Sequence, residues 1–537
     1  MLHFALRKFE DVAASPVSAS GAEANCRRVI MQIPCLLKRV ARCSLTAKAT
    51  LDTGSTINQF AIRRKECLQC HVCRKFISPK RTKAPAASVI QSGLAMKLTG
   101  YLVKSTVVAA LGGLLFGFDT AVIAGTTRAL TDTYHLSPAT LGVTVAAALW
   151  GTILGAMFAG IPGDRYGRRD SLRVMAVLYL VSALGCAFAW DWPSLIVFRF
   201  IGGLGIGGSS VLGPMYIAEI APAKWRGRLV GFFQFNVVFG VLLAYFSNFV
   251  IGLGGFGAAE WRWKLGVSAI PAALFLVTLF GIARSPRWLV QKRRVAEARE
   301  VLRLTGEESY EQELQDIIAS IDVEHGHGHE PLFQRKYRTP ILLAVGIAMF
   351  NQLSGINAIL YYLNDIFMRA GFSKVSGDLQ AVAIGGTNLV FTMLAMSLID
   401  RVGRKTLLLI GSVGLCLSLA GVATIFAIHR HEELLVWLLV AFIASFAFSQ
   451  GAVIWVYLSE VFPNRVRANG QSLGSLTHWF MNAIISGVFP MVAAVSGSAP
   501  FMFFSAMMAL QFFVVLFTFP ETKGLTLEQM QKKMGIA

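Results

Sequence analysis

Charged side chains are scarce in this chain of 537 residues. They make up 15% of the residues, hydrophobic side chains make up 55%, and the mean hydropathy is +0.57. A soluble domain of this size could not keep so much apolar surface in water, so the composition predicts many membrane-spanning helices. The net charge is +20, and beyond residue 95 the basic residues cluster in short segments between the apolar runs. That pattern is typical of loops that set membrane topology rather than of a nucleic-acid surface.

Cysteine is equally scarce in the apolar part of the chain. Six of the eight cysteines precede residue 96, which leaves Cys186 and Cys416 beyond it, and two isolated cysteines imply no disulfide framework. The string Cys67-x-x-Cys70-His71 matches a haem-attachment motif, but the surrounding sequence has no clear export signal or folded haem domain. We therefore expect no cofactor and no metal. We also find no pairing of a nucleophile with a general base outside the membrane, so we do not expect this protein to be an enzyme.

The first 95 residues lack any apolar run of spanning length. They carry far more basic than acidic side chains, and Met96 opens the first apolar segment directly. We predict that residues 1–95 are a disordered extension or a mis-assigned start, and that the working protein begins near Met96.

Twelve apolar segments follow, each long enough to cross about 30 Å of hydrocarbon as a helix. They lie at about 105–126, 139–162, 171–190, 194–217, 228–252, 264–283, 339–362, 378–399, 406–428, 434–459, 468–495 and 500–519. The sequence therefore predicts an all-α membrane protein with two six-helix bundles, at 96–284 and at 339–537 with a short tail. The polar stretch 285–338 between them is predicted to be a linker with short amphipathic helices.

Basic residues concentrate in the connections that follow even-numbered segments. By the positive-inside rule, these connections and both termini are predicted to be cytoplasmic. We call this end of the protein the inner end and the opposite end the outer end. Glycines at 202–208 lie mid-membrane, where they predict close helix packing rather than a phosphate-binding loop.

Charged motifs repeat between the two halves of the chain. The run from Asp164 to Arg169 follows segment two, and the run from Asp400 to Lys405 follows segment eight. Likewise Glu219 and Arg226 follow segment four, and Glu460 and Arg467 follow segment ten. One such motif alone would suggest topology signals and helix caps. Motifs in register across two halves favour ion pairs that close the inner end and break when it opens.

These motifs resemble the major facilitator superfamily and, within it, the sugar porter family, over residues 101–530. The resemblance rests on Gly160-x-x-x-Asp164-Arg165-x-Gly167-Arg168-Arg169, Pro214-Met215-Tyr216-x-x-Glu219-x-x-Pro222-x-x-x-Arg226-Gly227, Gln352-x-Ser354-Gly355-x-Asn357, Trp455-x-x-x-x-Glu460-x-Phe462-Pro463 and Pro520-Glu521-Thr522-Lys523-Gly524. It implies a protein that works as a monomer in the cell membrane, where the lipid bilayer surrounds the two helical bundles. A sugar site between the bundles would open alternately to each side.

The resemblance also implies a set of gating residues. They are Asp164, Arg165, Arg168, Glu219, Arg226, Tyr362, Asp400, Arg401, Arg404, Glu460, Arg467 and Glu521. The chain departs from the family pattern at several positions. Asn351 stands where the family signature has a glutamine, and Arg284 stands where the family has a glutamate. That exchange puts the usual inner-gate pairing at this position in doubt.

Amide side chains suit a sugar or polyol because each offers a hydrogen-bond donor and an acceptor, and aromatic rings cover the apolar face of the sugar. A lone amide in a membrane helix more often joins two helices. The resemblance, however, implies sugar contacts for Gln234, Gln352, Asn357 and Trp455. The full set of candidate substrate-binding residues is Gln234, Asn351, Gln352, Asn357, Tyr361, Asn388, Trp455, His478 and Trp479.

A carboxylate inside a spanning segment costs roughly 2.5–3.5 kcal/mol, so Asp119 needs a reason to be there. Asp119 and Arg199 both lie about 8–11 Å below the outer boundary at 1.5 Å per residue, which predicts that they pair. The alternative is a structural aspartate bonded to a neighbouring helix. Protonation of Asp119 would free Arg199, and the resemblance implies proton coupling, because facilitative members commonly carry a neutral residue at the Asp119 position.

We therefore predict a secondary active transporter that moves a monosaccharide, either hexose or pentose, or a polyol together with protons. A facilitative uniporter and a non-transporting sugar sensor of the same fold remain alternatives.

The Asp119→Asn variant tests the proton assignment. Because asparagine cannot titrate, we expect the variant to lose uphill sugar accumulation while keeping counterflow exchange of sugar. Both rates are measured with labelled sugar against the unaltered protein. Normal accumulation by the variant would show that Asp119 is not the coupling residue.

Overall fold

The computed structural model describes residues 99–222, 224–306, 309–326, 330–525, 527–534 and 536. Within these residues every regular element is a helix, as the composition predicted. The extension 1–95 and its Cys67–His71 motif lie outside the described residues, so the expectations about them stay predictions.

Twelve helical stretches of the described chain are long and apolar enough to cross a membrane, which confirms the predicted number. We number them spans 1 to 12. In the first half they are Gly100–Gly125, Pro138–Phe158, Arg168–Ala187, Trp192–Ile220, Arg226–Leu253 and Gly257–Gly281. In the second half they are Arg335–Tyr361, Lys374–Val402, Arg404–Ile428, Glu432–Glu460, Arg467–Val495 and Ala499–Thr518.

Four spans are interrupted rather than continuous. Span 1 is the helix Gly100–Val122 and the turn Ile123–Gly125; span 6 joins Gly257–Ala259, Glu260–Gly266, Ala269–Thr278 and Leu279–Gly281; span 7 joins Arg335–Tyr337, Arg338–Leu353 and Ile356–Tyr361; span 10 joins Glu432–Leu434, Leu435–Phe448 and Gln450–Glu460. Shorter helices outside the spans are Thr127–Tyr134, Gly160–Tyr166, Pro286–Gln291, Val295–Thr305, Tyr310–Gly326, Leu363–Arg369, Asn464–Val466 and Leu527–Lys533. Three of them form the linker, where short helices were predicted.

Local sequence explains where several helices begin. Ser137 precedes span 2, and its hydroxyl accepts the Thr140 N–H at 3.2 Å. Asp191 precedes span 4 and forms a capping box with Ser194, with proline in the first turn. Such caps satisfy backbone N–H groups that have no partner inside the helix.

Spans 6 and 8 start before their predicted positions, 264 and 378. They begin at Gly257 and Lys374, so Glu260 and Lys374 lie inside helices rather than in loops. Both side chains are salt-bridged to each other, with Lys374 Nζ 2.6 Å from a Glu260 carboxylate oxygen. Pairing removes the reason for excluding these charges from a span.

The packing repeats between the two halves. Span 4 packs on span 2 and span 5 on span 1; correspondingly, span 10 packs on span 8 and span 11 on span 7. The halves meet along two matching seams, span 2 against span 11 and span 5 against span 8. Close approach within a half depends on glycine, because a Cβ on Gly203 would lie 2.0 Å from the Ala148 carbonyl oxygen. The glycine-rich stretch therefore serves helix packing, as predicted.

Candidate functional site

The candidate sugar site lies where span 7 breaks. Helix Arg338–Leu353 ends at Ser354, whose hydroxyl donates to the Asn351 carbonyl at 2.6 Å. Gly355 then adopts a left-handed conformation, φ 80°, before the helix resumes at Ile356. A side chain at Gly355 would also meet the Phe504 ring at 2.3 Å, so glycine is needed here for both conformation and space. The break turns the flanking amides toward one cluster.

Four of the predicted sugar-binding residues form that cluster. Gln352 donates to the Asn351 side-chain oxygen at 3.1 Å, and Asn357 donates to the Gln352 oxygen at 3.0 Å. The Gln352 amide nitrogen also lies 3.2 Å from the ring nitrogens of His478 on span 11. Asn351, Gln352 and His478 are buried. Buried amides must find partners, and a bound sugar could exchange its hydroxyls for these mutual hydrogen bonds.

Aromatic rings surround the same cluster. The His478 ring centroid lies 5.2 Å from Trp455 and 5.1 Å from Trp479. Trp479 in turn contacts Phe116 of span 1 at 5.5 Å, which brings the first half to the edge of the cluster. These rings could cover the apolar face of a sugar.

Two neighbouring tyrosines have different partners. The Tyr361 hydroxyl accepts a hydrogen bond from the Asn482 amide at 3.3 Å, whereas the Tyr362 hydroxyl donates to the Ser486 carbonyl at 3.0 Å. Tyr362 also stacks on Phe489, with centroids 5.2 Å apart. Tyr361 thus bonds to an amide one helical turn beyond His478 on span 11, and Tyr362 forms part of the packing toward the outer end.

Two other predicted sugar-binding residues are not brought into the cluster by recorded contacts. Gln234 on span 5 is half-buried, and no hydrogen bond of its side chain is recorded within the described residues. Asn388 on span 8 accepts a hydrogen bond from Thr392 of its own helix at 3.4 Å. Their sugar-binding roles stay predictions.

The predicted ion pair between Asp119 and Arg199 is not formed in this structure. Arg199 is buried, and its Nε donates to the Thr144 carbonyl of span 2 at 3.1 Å. Asp119 lies within electrostatic range of Arg199, but no salt bridge between them is recorded in the described part of the chain. The arginine therefore finds a hydrogen-bond acceptor on a backbone carbonyl, which no sequence motif identifies. Both charges also interact electrostatically with Tyr361 of span 7.

The repeated motifs at the inner end form matching ion pairs within each half. In the first half Arg168 lies 2.9 Å from Asp164 and 3.0 Å from Glu219. In the second half Arg404 occupies the same place, 2.9 Å from Asp400 and 2.8 Å from Glu460. Each arginine ties together the ends of three consecutive spans of one half. The prediction that these pairs close the inner end does not hold in this structure, because none of them crosses from one half to the other.

The other predicted gating residues surround these pairs. Arg226 donates to the Ala218 carbonyl at 3.0 Å, and Arg467 donates to the Phe462 carbonyl at 3.4 Å. Arg165 stacks on Tyr166, and the Arg401 carbonyl accepts from Lys523.

Glu521 lies beyond span 12 and caps the start of span 9. Its carboxylate accepts the backbone N–H groups of Arg404 and Lys405, each at 3.0 Å. Burial would raise the pKa of Glu521, but donation from the backbone of Lys523, Arg404 and Lys405 outweighs it and holds the pKa below its usual value. Glu521 therefore stays charged where it ties the C-terminal tail to the helix end.

A buried charge network at the outer end was missed by sequence reasoning. Lys264 of span 6 is 0% exposed and lies 2.8 Å from Glu260 and 3.3 Å from Asp378 of span 8. Lys374 completes the network by pairing with Glu260, and Asn364 donates to Asp378. The network is neutral overall and joins the two halves. Two acids and two lysines at the outer starts of spans 6 and 8 were the available signal.

Further contacts join the halves on the same side. The Tyr245 hydroxyl of span 5 donates to the Leu360 carbonyl of span 7 at 2.9 Å, and both groups are buried. Arg128, beyond span 1, donates to the Met368 sulfur at 3.7 Å. The structure is therefore a conformation closed at the outer end.

Comparison with known proteins gives consistent matches along most of the chain. A family model described as "Sugar (and other) transporter" matches residues 105–534. A D-xylose-proton symporter of Escherichia coli (strain K12) is 36% identical over 472 residues, which cover 81% of this chain and 96% of that protein. An arabinose-proton symporter of Bacillus subtilis (strain 168) is 35% identical over 440 residues, covering 81% of this chain and 95% of that protein.

A solved structure matches as well. It is the inward open conformation of the xylose transporter XylE from E. coli, with a TM-score of 0.72 and 35% identity. The match covers 81% of this chain and 100% of that one.

The outer network generates a prediction about conformation. Removing one member of a buried ion pair costs about 3–5 kcal/mol, because the remaining charge is left uncompensated. We expect Lys264→Met to populate a state open at the outer end. Spin labels on cysteines introduced at Asp132 and Val495, in a background without the native cysteines, would then report longer distances by pulsed electron resonance.

Two further variants make this measurement decisive. Lys264→Met combined with Asp378→Asn removes both charges and should recover much of the short distance. Arg430→Met, at an exposed position on the outer side, is the matched control and should leave the distances unchanged. Unchanged distances in Lys264→Met itself would refute a gating role for the network.

Proposed function

Because the chain belongs to the sugar transporter family of the major facilitator superfamily, we propose that it carries a monosaccharide together with protons by alternating access. It is a multi-pass protein of the cell membrane. The inner end, with its basic connections, is proposed to face the cytoplasm, and the working unit is proposed to be the monomer.

One observation carries the mechanism, the position of Tyr361. Its hydroxyl accepts a hydrogen bond from Asn482 and lies within electrostatic range of both Asp119 and Arg199. Tyr361 thus interacts electrostatically with the candidate proton site and bonds to span 11, which carries His478 of the candidate sugar site. A change of charge at Asp119 would be felt directly by a group that helps to shape the sugar pocket.

The proposed cycle begins when the outer end is open and Asp119 takes up a proton. Loss of its negative charge removes the attraction between span 1 and Arg199 of span 4 and lowers the cost of burying the site. Sugar hydroxyls then replace the mutual hydrogen bonds of Asn351, Gln352 and Asn357. This exchange costs little free energy because each amide keeps a hydrogen-bond partner.

Closure of the outer end follows when the halves meet. The Lys264–Glu260–Asp378 network forms only if spans 6 and 8 approach, so it stabilises the conformation seen here. Sugar and proton would leave through the inner end, where Arg168 and Arg404 keep the span ends of each half together as a unit.

The relatives favour small aldoses as substrates. The two described above are named for D-xylose and arabinose. Asn351 supports a modest difference in sugar preference from the rest of the family, because its side chain is one methylene shorter than the glutamine of the family pattern. We propose a pentose or hexose as the substrate and treat polyols as the alternative.

Uptake into proteoliposomes tests the proposal. We expect labelled D-xylose, L-arabinose or D-glucose to accumulate above its external concentration when an inward proton gradient is imposed, and to equilibrate when a protonophore is added. Uptake that never exceeds equilibrium would identify a facilitative uniporter. Binding without flux would identify a sensor, and inositol as the only substrate would identify a polyol carrier.

A matched pair of variants tests the sugar cluster in the same assay. Gln352→Leu removes an amide from the cluster, and we expect about tenfold weaker sugar affinity from the loss of one or two hydrogen bonds. Gln511→Leu is the control, because Gln511 is also a buried amide of the second half but pairs with Gln450 at 2.8 Å, between spans 10 and 12. Equal losses of affinity in both variants would contradict the assignment of Gln352.

A further inference from the structure

At the inner end of the first half, one carboxylate serves three arginines. Arg169 and Arg173 each approach one Asp170 oxygen at 2.9 Å, and Arg284 approaches the other oxygen at 2.9 Å. These four side chains are partly buried, so their charges are incompletely screened by water. The cluster therefore carries a net positive charge, because its single aspartate cannot neutralise three arginines.

An open cleft adjoins this cluster, between the inner end of span 2, the start of span 3 and the first linker helix. Arg284 and Asp170 line it, and Arg165 adds a further guanidinium at its rim. Arg165 is exposed and makes no recorded salt bridge within the described chain, and its guanidinium lies over the Tyr166 ring at 5.3 Å. The lining is thus basic on one side.

Two buried donors of span 3 have no recorded partner among the described residues, and one of them lines the cleft. Ser171 lines the cleft and is 1% exposed, yet its hydroxyl has no recorded hydrogen bond in the described part of the chain. The Nε of neighbouring Arg173 is likewise buried without one. Most buried polar groups are paired, so two unpaired donors beside an excess of positive charge point to an acceptor that is an anion.

The surroundings of the cleft are apolar and exposed. Val174 lines the cleft and is 53% exposed, and Phe280, beneath the Arg173 guanidinium at 4.3 Å, is 66% exposed. Both lie on spans, where an outward-facing apolar side chain contacts lipid tails. A soluble anion would gain nothing from these residues, whereas a lipid has both a phosphate and an acyl chain.

We propose that this cleft binds the phosphate group of an anionic phospholipid. Arg165 and Arg284 pair with the phosphate, Ser171 donates a hydrogen bond to it, and the acyl chain lies along Val174 and Phe280. Because Arg284 replaces a glutamate of the family pattern, the site is a feature of this chain rather than of the motif. It is separate from the sugar cluster and does not depend on the transport reaction.

Native mass spectrometry of the purified protein tests the site. The protein is exchanged from vesicles of phosphatidylcholine alone or of phosphatidylcholine with phosphatidylglycerol, and the retained lipid is counted. We expect selective retention of phosphatidylglycerol. Arg284→Glu reverses one charge in the cleft and should weaken that retention about tenfold, given the attraction of each basic residue for anionic lipid.

Three controls decide between the outcomes. Ser171→Ala leaves the charge unchanged and should also weaken retention, which a purely diffuse electrostatic effect would not produce. Arg335→Glu makes the same charge reversal at an exposed position at the start of span 7 and should not change retention. Inorganic phosphate added to lipid-free protein should give no comparable rise in thermal stability.

Three results would overturn the proposal. Equal retention of both lipids would remove the preference for an anion. Equal effects of Arg284→Glu and Arg335→Glu would remove the cleft as its location. Stabilisation by inorganic phosphate as strong as that by phosphatidylglycerol vesicles would make the ligand a soluble anion instead of a lipid.

Discussion

The cost of placing a charge in hydrocarbon shapes this molecule more than any other term. Most charges inside its spans are met by an opposite charge, and the burial of Lys264 between Glu260 and Asp378 is the extreme case. Arg168 and Arg404 follow the same rule at the inner end. Asp119 departs from it, because it faces Arg199 without a salt bridge. An acid that lacks a fixed partner is the one most readily neutralised by taking up a proton.

The placement of the paired charges also separates rigid from movable parts. Inner pairs join spans of one half, so they preserve each bundle when the bundles move apart. The outer network and the Tyr245–Leu360 hydrogen bond join different halves, so they must break whenever the outer end opens. The fold therefore has charge pairs that hold each half together at the inner end. At the outer end it has contacts between the halves that can form and break as the protein opens and closes. The sugar cluster lies between the two sets, at the break in span 7.

Much of this architecture could be predicted from the sequence because it rests on local patterns. Apolar runs defined the twelve spans, and repeated motifs predicted that charges pair at the inner end. The Arg168 and Arg404 pairs join spans within one half, however, and do not close that end as predicted. The outer network was missed because each member alone resembles a loop charge, and Lys264 meets Asp378 only through the fold. The Asp119–Arg199 contact was predicted from depth along two helices. Depth does not determine side-chain direction, and the Thr144 carbonyl that binds Arg199 has no sequence signature.

The central claim is that the charge of Asp119 is coupled to sugar movement through its electrostatic interaction with Tyr361. Proton movement driven by sugar alone tests it most directly. When sugar is added to lightly buffered proteoliposomes without any imposed gradient, the account predicts that the external medium becomes alkaline as protons enter with the sugar. Sugar entry at a normal rate with no change in external pH would contradict it.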